Sequence, residues 1–126
     1  MKKILLIEDE PDTIKVVEKR LTDHGFRVVV ANDGRKGFEL ARLERPDLII
    51  LDLMLPKIDG HRVCGLLKRD MRFNKVPIII FTAKAQRRDE ELAQELGADA
   101  YINKPFEASV LISKIEELLG NEEKLK

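Results

Sequence analysis

Four of the five apolar segments of this chain end in, or close to, a residue that suits phosphoryl chemistry. Glu8 and Asp9 follow the first segment, ILLI, and Asp52 follows the third, LIIL. Thr82 follows the fourth segment, and Lys104 comes shortly after the fifth. Three carboxylates, one hydroxyl and one ammonium therefore stand at equivalent places in successive segments.

Short apolar runs alternate with longer amphipathic stretches along the chain. This pattern predicts buried parallel strands joined by crossover helices. Because such crossovers are right-handed, helices should cover both faces of the sheet. We expect an α/β fold: a single doubly wound (βα)5 domain whose five-stranded parallel sheet has the order 2-1-3-4-5. Ligands bind at the carboxyl ends of such strands, where the order reverses, so the residues above should form one site.

Helix signals occupy the stretches between the predicted strands. Pro11 fits a first helical turn, Gly25 fits a helix end, and Asp33 has the residue type of an N-cap. Further helices are expected near residues 60–69 and 86–96, and Pro105 should open the last one. We expect the domain to cover residues 1–120 and residues 121–126 to form a charged tail.

Size and composition restrict the classes of function. The 126 residues suit one domain, and 23 basic residues balance 23 acidic ones, so charge does not favour nucleic acid or an acidic membrane as partner. Cys64 is the single cysteine, which excludes an internal disulfide and fits a reducing cytoplasm. The first apolar run is too short for a signal core or a membrane span. We expect a cytoplasmic protein that binds neither a membrane nor, directly, nucleic acid.

Clustered carboxylates repel one another, and a hard divalent cation relieves that repulsion. The sequence has no histidine cluster and no thiolate pair, so Mg²⁺ or Mn²⁺ is favoured over zinc. An ionised carboxylate can accept a phosphoryl group, a reaction that needs mainly positioning and charge neutralisation. Asp52 is the candidate nucleophile, and Lys104 and Thr82 are candidates to contact phosphoryl oxygens. Ala83 is small and offers a backbone N–H beside them.

Taken together and in this order, the motifs resemble the receiver domain of two-component response regulators, over essentially the whole chain. The resemblance rests on five matches: Glu8-Asp9, the DLMLP run from Asp52, Asp59-Gly60, Thr82-Ala83 and the KPF run from Lys104. It implies a flavodoxin-like fold similar to that of the chemotaxis regulator. The family often has Asp where this chain has Glu8, and the longer side chain should change metal affinity only modestly.

The resemblance also implies roles for the site residues. Asp9, Asp52 and the backbone carbonyl of Met54 would hold Mg²⁺, with Glu8 acting through water. Asp52 would be phosphorylated by a sensor histidine kinase or a phosphotransfer protein. The residues that would contact the phosphoryl group are Leu53, Ala83, Thr82 and Lys104.

A switch follows from the same resemblance. Phosphorylation would draw Thr82 toward the phosphoryl group, and Tyr101 would move into the space behind it. The face formed by the fourth helix, fifth strand and fifth helix would then change shape and be read by a downstream protein or an output domain. The resemblance further implies a cis peptide bond between Lys104 and Pro105. The only chemistry catalysed would be the protein's own phosphoryl transfer and a slow loss of the phosphoryl group.

Several alternatives stay open at this point. An aspartyl phosphatase of the haloacid-dehalogenase type is disfavoured, because Met54 stands where that family has a second Asp. A nucleotide or flavin binder is disfavoured, because no glycine-rich loop follows a strand. A receiver-like interaction module that never accepts phosphate is a third possibility. Glu8 and Asp9 on their own fit simple capping of the following helix.

The output is also open. The stretches 98–101 and 107–114 depart from the pattern of receivers joined to winged-helix DNA binders. The departure argues against the dimer interface of that class. Two interpretations stay open: a stand-alone regulator, or a receiver cut from a larger protein with a DNA-binding or enzymatic output. A monomer and a phosphorylation-dependent dimer are both compatible with the sequence.

Overall fold

A five-stranded parallel sheet forms the centre of the protein. The computed structural model describes residues 1–55, 59–83 and 87–124. The strands are β1 (Lys3–Ile7), β2 (Arg27–Ala31), β3 (Leu48–Leu51), β4 (Ile78–Thr82) and β5 (Ala100–Asn103). They lie in the order β2-β1-β3-β4-β5, and every neighbouring pair is parallel. This confirms the predicted fold class and strand order.

Within the described residues, four helices connect successive strands and a fifth follows the last strand, and together they cover both faces of the sheet. They are α1 (Pro11–Asp23), α2 (Gly34–Glu44), α3 (Gly60–Arg69), α4 (Arg87–Glu95) and α5 (Ala108–Lys124). Side chains of β1 alternate between two apolar layers: Leu5 and Ile7 pack with α2 and α3, and Ile4 and Leu6 pack with α1 and α5. Because both faces are covered, the strands read in the sequence as continuous apolar runs rather than alternating ones.

The helix signals agree with the structure at several ends. The Asp33 side chain accepts a hydrogen bond from Lys36 N at 2.8 Å and so caps α2. Gly25 follows α1 with φ +84°, a conformation that glycine adopts without steric cost. Asp59 caps α3 by accepting from His61 N at 2.7 Å.

The last helix does not begin where the sequence suggested. Pro105 should have opened it, but α5 begins at Ala108. The carbonyl of Glu107 is the first acceptor, receiving bonds from Val110 N at 3.0 Å and Leu111 N at 3.3 Å. The proline therefore lies in the connection before the helix. α5 continues to Lys124, beyond the expected domain end at residue 120.

Of the helices in residues 1–55, 59–83 and 87–124, none combines the length and the apolar character needed to cross a membrane.

Candidate functional site

The site lies where β1 and β3 end side by side. Ile7 and Leu51 are register partners at the ends of these strands. One residue later, Asp52 N donates to Ile7 O at 3.0 Å, and Glu8 N donates to Ala31 O at 3.0 Å. Backbone hydrogen bonds thus fix Glu8 and Asp52 at adjacent places on the carboxyl edge of the sheet.

Within the part of the chain that the structure describes, the buried polar or charged side chains are Glu8, Asp52 and Thr82. Glu8 and Thr82 are fully buried, and Asp52 is 4% exposed. Burying a carboxylate is costly unless it is paired and hydrogen-bonded. Two such groups side by side are therefore not explained by packing alone.

Lys104 supplies the positive charge for both carboxyl groups. Its Nζ donates to Asp52 Oδ2 at 2.9 Å and also to Glu8 Oε1. The backbone N of Lys104 donates to Thr82 O at 2.9 Å, which anchors the residue at the end of β4. The peptide bond between Lys104 and Pro105 is cis, as the family resemblance implied.

The charges of this trio are coupled. Burial, with a further contribution from Asp52, raises the pKa of Glu8 to about 7. Burial also acts on Asp52, but hydrogen bonds from Glu8, Met54 N and Lys104 outweigh it and lower the Asp52 pKa. For Lys104, burial is outweighed by the two carboxyl partners, which raise its pKa. At neutral pH, Asp52 is therefore ionised, and Lys104 is its cationic partner.

Asp9 adds a third carboxylate on the solvent side. It is exposed, and its backbone N donates to Glu8 Oε2 at 3.0 Å. One carboxylate oxygen from each of Glu8, Asp9 and Asp52 can be chosen so that all lie within 4.8 Å of one another. An all-oxygen, anionic set of this size fits a hard divalent cation such as Mg²⁺.

The loop after β3 holds Asp52 in place. Met54 N donates to Asp52 Oδ1 at 2.9 Å, while the Met54 side chain is exposed. Leu53 is buried, and its carbonyl accepts from Gly60 N at 3.2 Å. A Cβ on Gly60 would lie 2.5 Å from Asp52 O, so this close approach needs glycine.

The remaining predicted site residues lie on β4, on β5 or just beyond them. Thr82 pairs in register with Asn103, and Tyr101 pairs with Ile80 two residues earlier. Residues two apart on a strand face the same side, so Thr82 and the half-buried Tyr101 share one face of the sheet. Ala83 is exposed and lines, with Lys104, a cavity of about 570 Å³ between α1 and the start of α5.

Sequence reasoning missed an aromatic contact of the site. The Phe81 ring lies under the Lys104 ammonium, with Nζ 4.7 Å from the ring centroid. A buried aromatic residue in a strand reads as core, so the sequence offered only its position next to Thr82 as a signal.

Comparison with known proteins places these observations in a family. The model of the response regulator receiver domain matches residues 4–116. The chain is 40% identical over 125 residues to the DNA-binding dual master transcriptional regulator RpaA of Synechocystis sp., covering 99% of this chain and 52% of RpaA. It thus spans about half the length of the curated relatives it matches.

Solved structures agree with that match. The receiver domain of sensor histidine kinase PA1611 from Pseudomonas aeruginosa, described with a magnesium ion coordinated in the active site cleft, is 33% identical with a TM-score of 0.88. The two chains are covered over 94% and 98% of their lengths, respectively. A CheY-like receiver domain protein from Methanospirillum hungatei gives a TM-score of 0.93 at 26% identity, over 100% of this chain and 99% of that one.

Proposed function

Because the chain belongs to the family of response regulator receiver domains, we propose that it is a phosphoacceptor switch whose Asp52 takes a phosphoryl group from a phosphohistidine. The donor is a sensor histidine kinase or a phosphotransfer protein. Receiver domains act in signalling rather than in metabolism. The observation that carries the proposal is the buried Asp52 carboxyl group, hydrogen-bonded by Lys104 and flanked by two further acids.

The proposed reaction needs little machinery beyond this geometry. An oxygen of Asp52 attacks phosphorus while the P–N bond to the donor imidazole breaks, and the electron pair of that bond returns to the imidazole nitrogen. The lowered pKa of Asp52 keeps the attacking carboxylate ionised at neutral pH. The donor side chain is proposed to approach through the cavity lined by Ala83 and Lys104, whose ammonium pairs with Asp52.

Lys104 has two proposed tasks in this cycle. Before transfer, its ammonium neutralises the paired carboxyl groups, as the hydrogen bonds to Glu8 and Asp52 indicate. After transfer, it contacts a phosphoryl oxygen. Thr82, Leu53 and Ala83 are proposed to contact the other phosphoryl oxygens.

The divalent cation has a proposed place among the three acids. Asp9 and Asp52 would bind Mg²⁺ or Mn²⁺ directly, together with the Met54 carbonyl, and Glu8 would act through water. The cation supplies charge neutralisation for the incoming phosphoryl oxygens. The magnesium ion described for the PA1611 receiver supports this choice.

Thr82 and Tyr101 are the proposed switch residues. They lie on the same face of the sheet, in strands that are hydrogen-bonded to each other. Drawing Thr82 toward the phosphoryl group on Asp52 would open space that the half-buried Tyr101 can fill. The surface formed by α4, β5 and α5 would change with it and be read by a partner. The arrangements of Thr82 and Tyr101 before and after this movement are two states in equilibrium. Phosphorylation shifts that equilibrium only as far as the phosphoryl group interacts more favourably with one state than with the other.

The relatives bear on the output. RpaA is described as a DNA-binding transcriptional regulator, and this chain matches about half of its length. This supports a receiver that works with a DNA-binding output over a stand-alone regulator. With such an output, we propose that residues 1–120 themselves do not contact nucleic acid. We also propose that the protein is cytoplasmic. Phosphorylation-dependent dimerisation is compatible with such an output.

The test is intact-mass measurement after incubation with acetyl phosphate, with and without Mg²⁺. Wild type should gain one base-labile phosphoryl group only when Mg²⁺ is present, and Asp52→Asn should gain none. Asp12→Asn serves as the control, because Asp12 is an exposed acid near the site but outside the carboxylate cluster. If wild type gains nothing from acetyl phosphate and nothing from a phosphorylated histidine donor protein, it is a receiver-like interaction module and the proposal is wrong.

A further inference from the structure

The Lys104 ammonium is enclosed on three sides. Two sides are the carboxyl groups of Glu8 and Asp52, which accept its hydrogen bonds. The third is the Phe81 ring, whose centroid is 4.7 Å from Nζ. The ring thus makes direct contact with a group that the proposed chemistry uses.

Phe81 is itself held in a fixed orientation. It is fully buried in β4 and pairs in register with Ile102 of β5. The Phe106 ring meets it edge-on, with ring centroids 5.6 Å apart and planes at 75°. Strand pairing on one side and an aromatic contact on the other leave the Phe81 ring little freedom to turn away from Lys104.

An aromatic face acts on an ammonium differently from an aliphatic side chain. The negative face of the ring attracts the cation, most strongly where water is excluded, and it does so without accepting an N–H hydrogen bond. The N–H groups remain available for carboxylate or phosphoryl oxygens. A lysine side chain is flexible, and fixing it has an entropic cost that a preformed wall reduces.

We propose that Phe81 is a positioning residue, whose ring holds the Lys104 ammonium at the place where it meets Asp52 and the incoming phosphoryl oxygen. Its effect on phosphorylation rests on the proposed function. A leucine would fill much of the same volume but would not attract the cation. The geometry predicts that Phe81→Leu leaves the fold intact and the Lys104 ammonium less well placed.

The first arm of the test observes Lys104 directly. In protein labelled with ¹³C-lysine, the ring should shift the Lys104 ε-CH₂ proton signals, and these protons should be ordered. Phe81→Leu should remove the shift and increase their motion. The control is Phe73→Leu, which removes another buried phenyl ring that packs on Phe38 rather than on Lys104. An unchanged Lys104 signal in Phe81→Leu overturns the proposal.

The second arm measures the rate of phosphorylation by acetyl phosphate at saturating Mg²⁺, at a temperature where every variant is folded. Phe81→Leu should be slower by roughly five- to thirtyfold, the range expected for a desolvated cation–ring contact. Phe73→Leu should match wild type. In a Lys104→Met background, Phe81→Leu should cause no further loss, because the ring acts through the ammonium.

The outcomes separate the two hypotheses. Suppose that wild type is phosphorylated. If Phe81→Leu is then phosphorylated as fast as wild type, the positioning role is wrong and the proposed function stands. The same conclusion follows if Phe81→Leu slows phosphorylation by the same factor in the Lys104→Met background as in wild type. If wild type accepts no phosphoryl group, the proposed function fails. The NMR arm then decides by itself whether Phe81 positions Lys104.

Discussion

Lys104 Nζ and Asp52 Oδ2 form an ion pair of 2.9 Å between residues that are 52 positions apart in the chain. The pair joins the loop after β5 to the end of β3. The same ammonium contacts Glu8, so one cation serves two buried carboxyl groups. Charge balance at this site therefore depends on Lys104 as long as no divalent cation is bound.

Removing that charge should destabilise the protein most when Mg²⁺ is absent. We expect Lys104→Met to lower the free energy of unfolding by about 3 kcal/mol in EDTA, because Glu8 and Asp52 lose their cationic partner. A saturating divalent cation should recover much of the loss. Urea unfolding with EDTA and with MgCl₂ measures both values.

Lys114→Met is the matched control for this charge removal. Lys114 pairs with Glu117 at 3.1 Å on the surface of α5, where an ion pair is worth at most about 0.5 kcal/mol. Its loss should be small and independent of Mg²⁺. Equal losses in EDTA and MgCl₂ for Lys104→Met would contradict the charge argument.

Mg²⁺ should stabilise the folded protein through Asp9. A ligand that binds only the folded state adds about 2.7 kcal/mol at roughly 100 times its Kd. Asp9→Asn removes the exposed member of the proposed ligand set without disturbing the buried pair, so it should greatly reduce the rise in Tm with MgCl₂. Thermal unfolding over a MgCl₂ series measures this.

Asp12→Asn should keep the full rise in Tm, since Asp12 lies outside the carboxylate cluster. If Asp9→Asn and wild type respond alike to Mg²⁺, the cation does not bind among the three acids.

Much of the fold could be predicted because both faces of the sheet are covered. Every residue of β3 is buried, and the run LIIL shows this without any periodicity. The prediction of a parallel sheet also implied that the site residues lie close together, since the carboxyl ends of parallel strands meet at one edge of the sheet. The predicted start of α5 at Pro105 was wrong because a proline at the first position of a helix and a proline shortly before the helix look alike in sequence.

The contacts within the site were harder to predict. Lys104 pairs with Glu8 as well as Asp52, and a strand order does not specify which acid a long side chain reaches. Neither does it specify that Phe81 faces an ammonium rather than only apolar neighbours. Both depend on side-chain rotamers, which the hydrophobic pattern does not encode.

The buried Cys64 thiol should make the free energy of unfolding fall at alkaline pH. Burial raises its pKa from the ordinary 9.0 to about 11. As pH rises above 9, the unfolded chain loses this proton first, so unfolding becomes more favourable. Below pH 9 the thiol is protonated in both states and does not change the free energy of unfolding. Between pH 9 and about pH 11 it lowers that free energy, by about 1 kcal/mol at pH 10.

Comparison with Cys64→Ala isolates that contribution. The variant should be less stable at every pH because it leaves a cavity in the packing of α3. Its free energy of unfolding should nevertheless fall less between pH 8 and pH 10 than that of wild type, because it has no thiol to ionise. Urea unfolding of wild type and Cys64→Ala at pH 8 and at pH 10 gives the four free energies of unfolding that this comparison needs. Parallel losses in wild type and Cys64→Ala would show that the thiol ionises equally in both states.

Gly60 should be sensitive to the smallest substitution because it touches the backbone that carries Asp52. A Cβ at this position would lie 2.5 Å from Asp52 O and 2.5 Å from Leu53 Cα. We expect Gly60→Ala to cost about 1–3 kcal/mol and, by moving Asp52, to slow phosphorylation by acetyl phosphate. Gly120→Ala is the matched control: among the described residues, a Cβ there would meet nothing within 4 Å beyond its own stretch of helix, and alanine should stabilise α5 by about 0.5–1 kcal/mol. Phosphorylation of Gly60→Ala at the wild-type rate would mean that the loop accommodates the methyl group without moving Asp52.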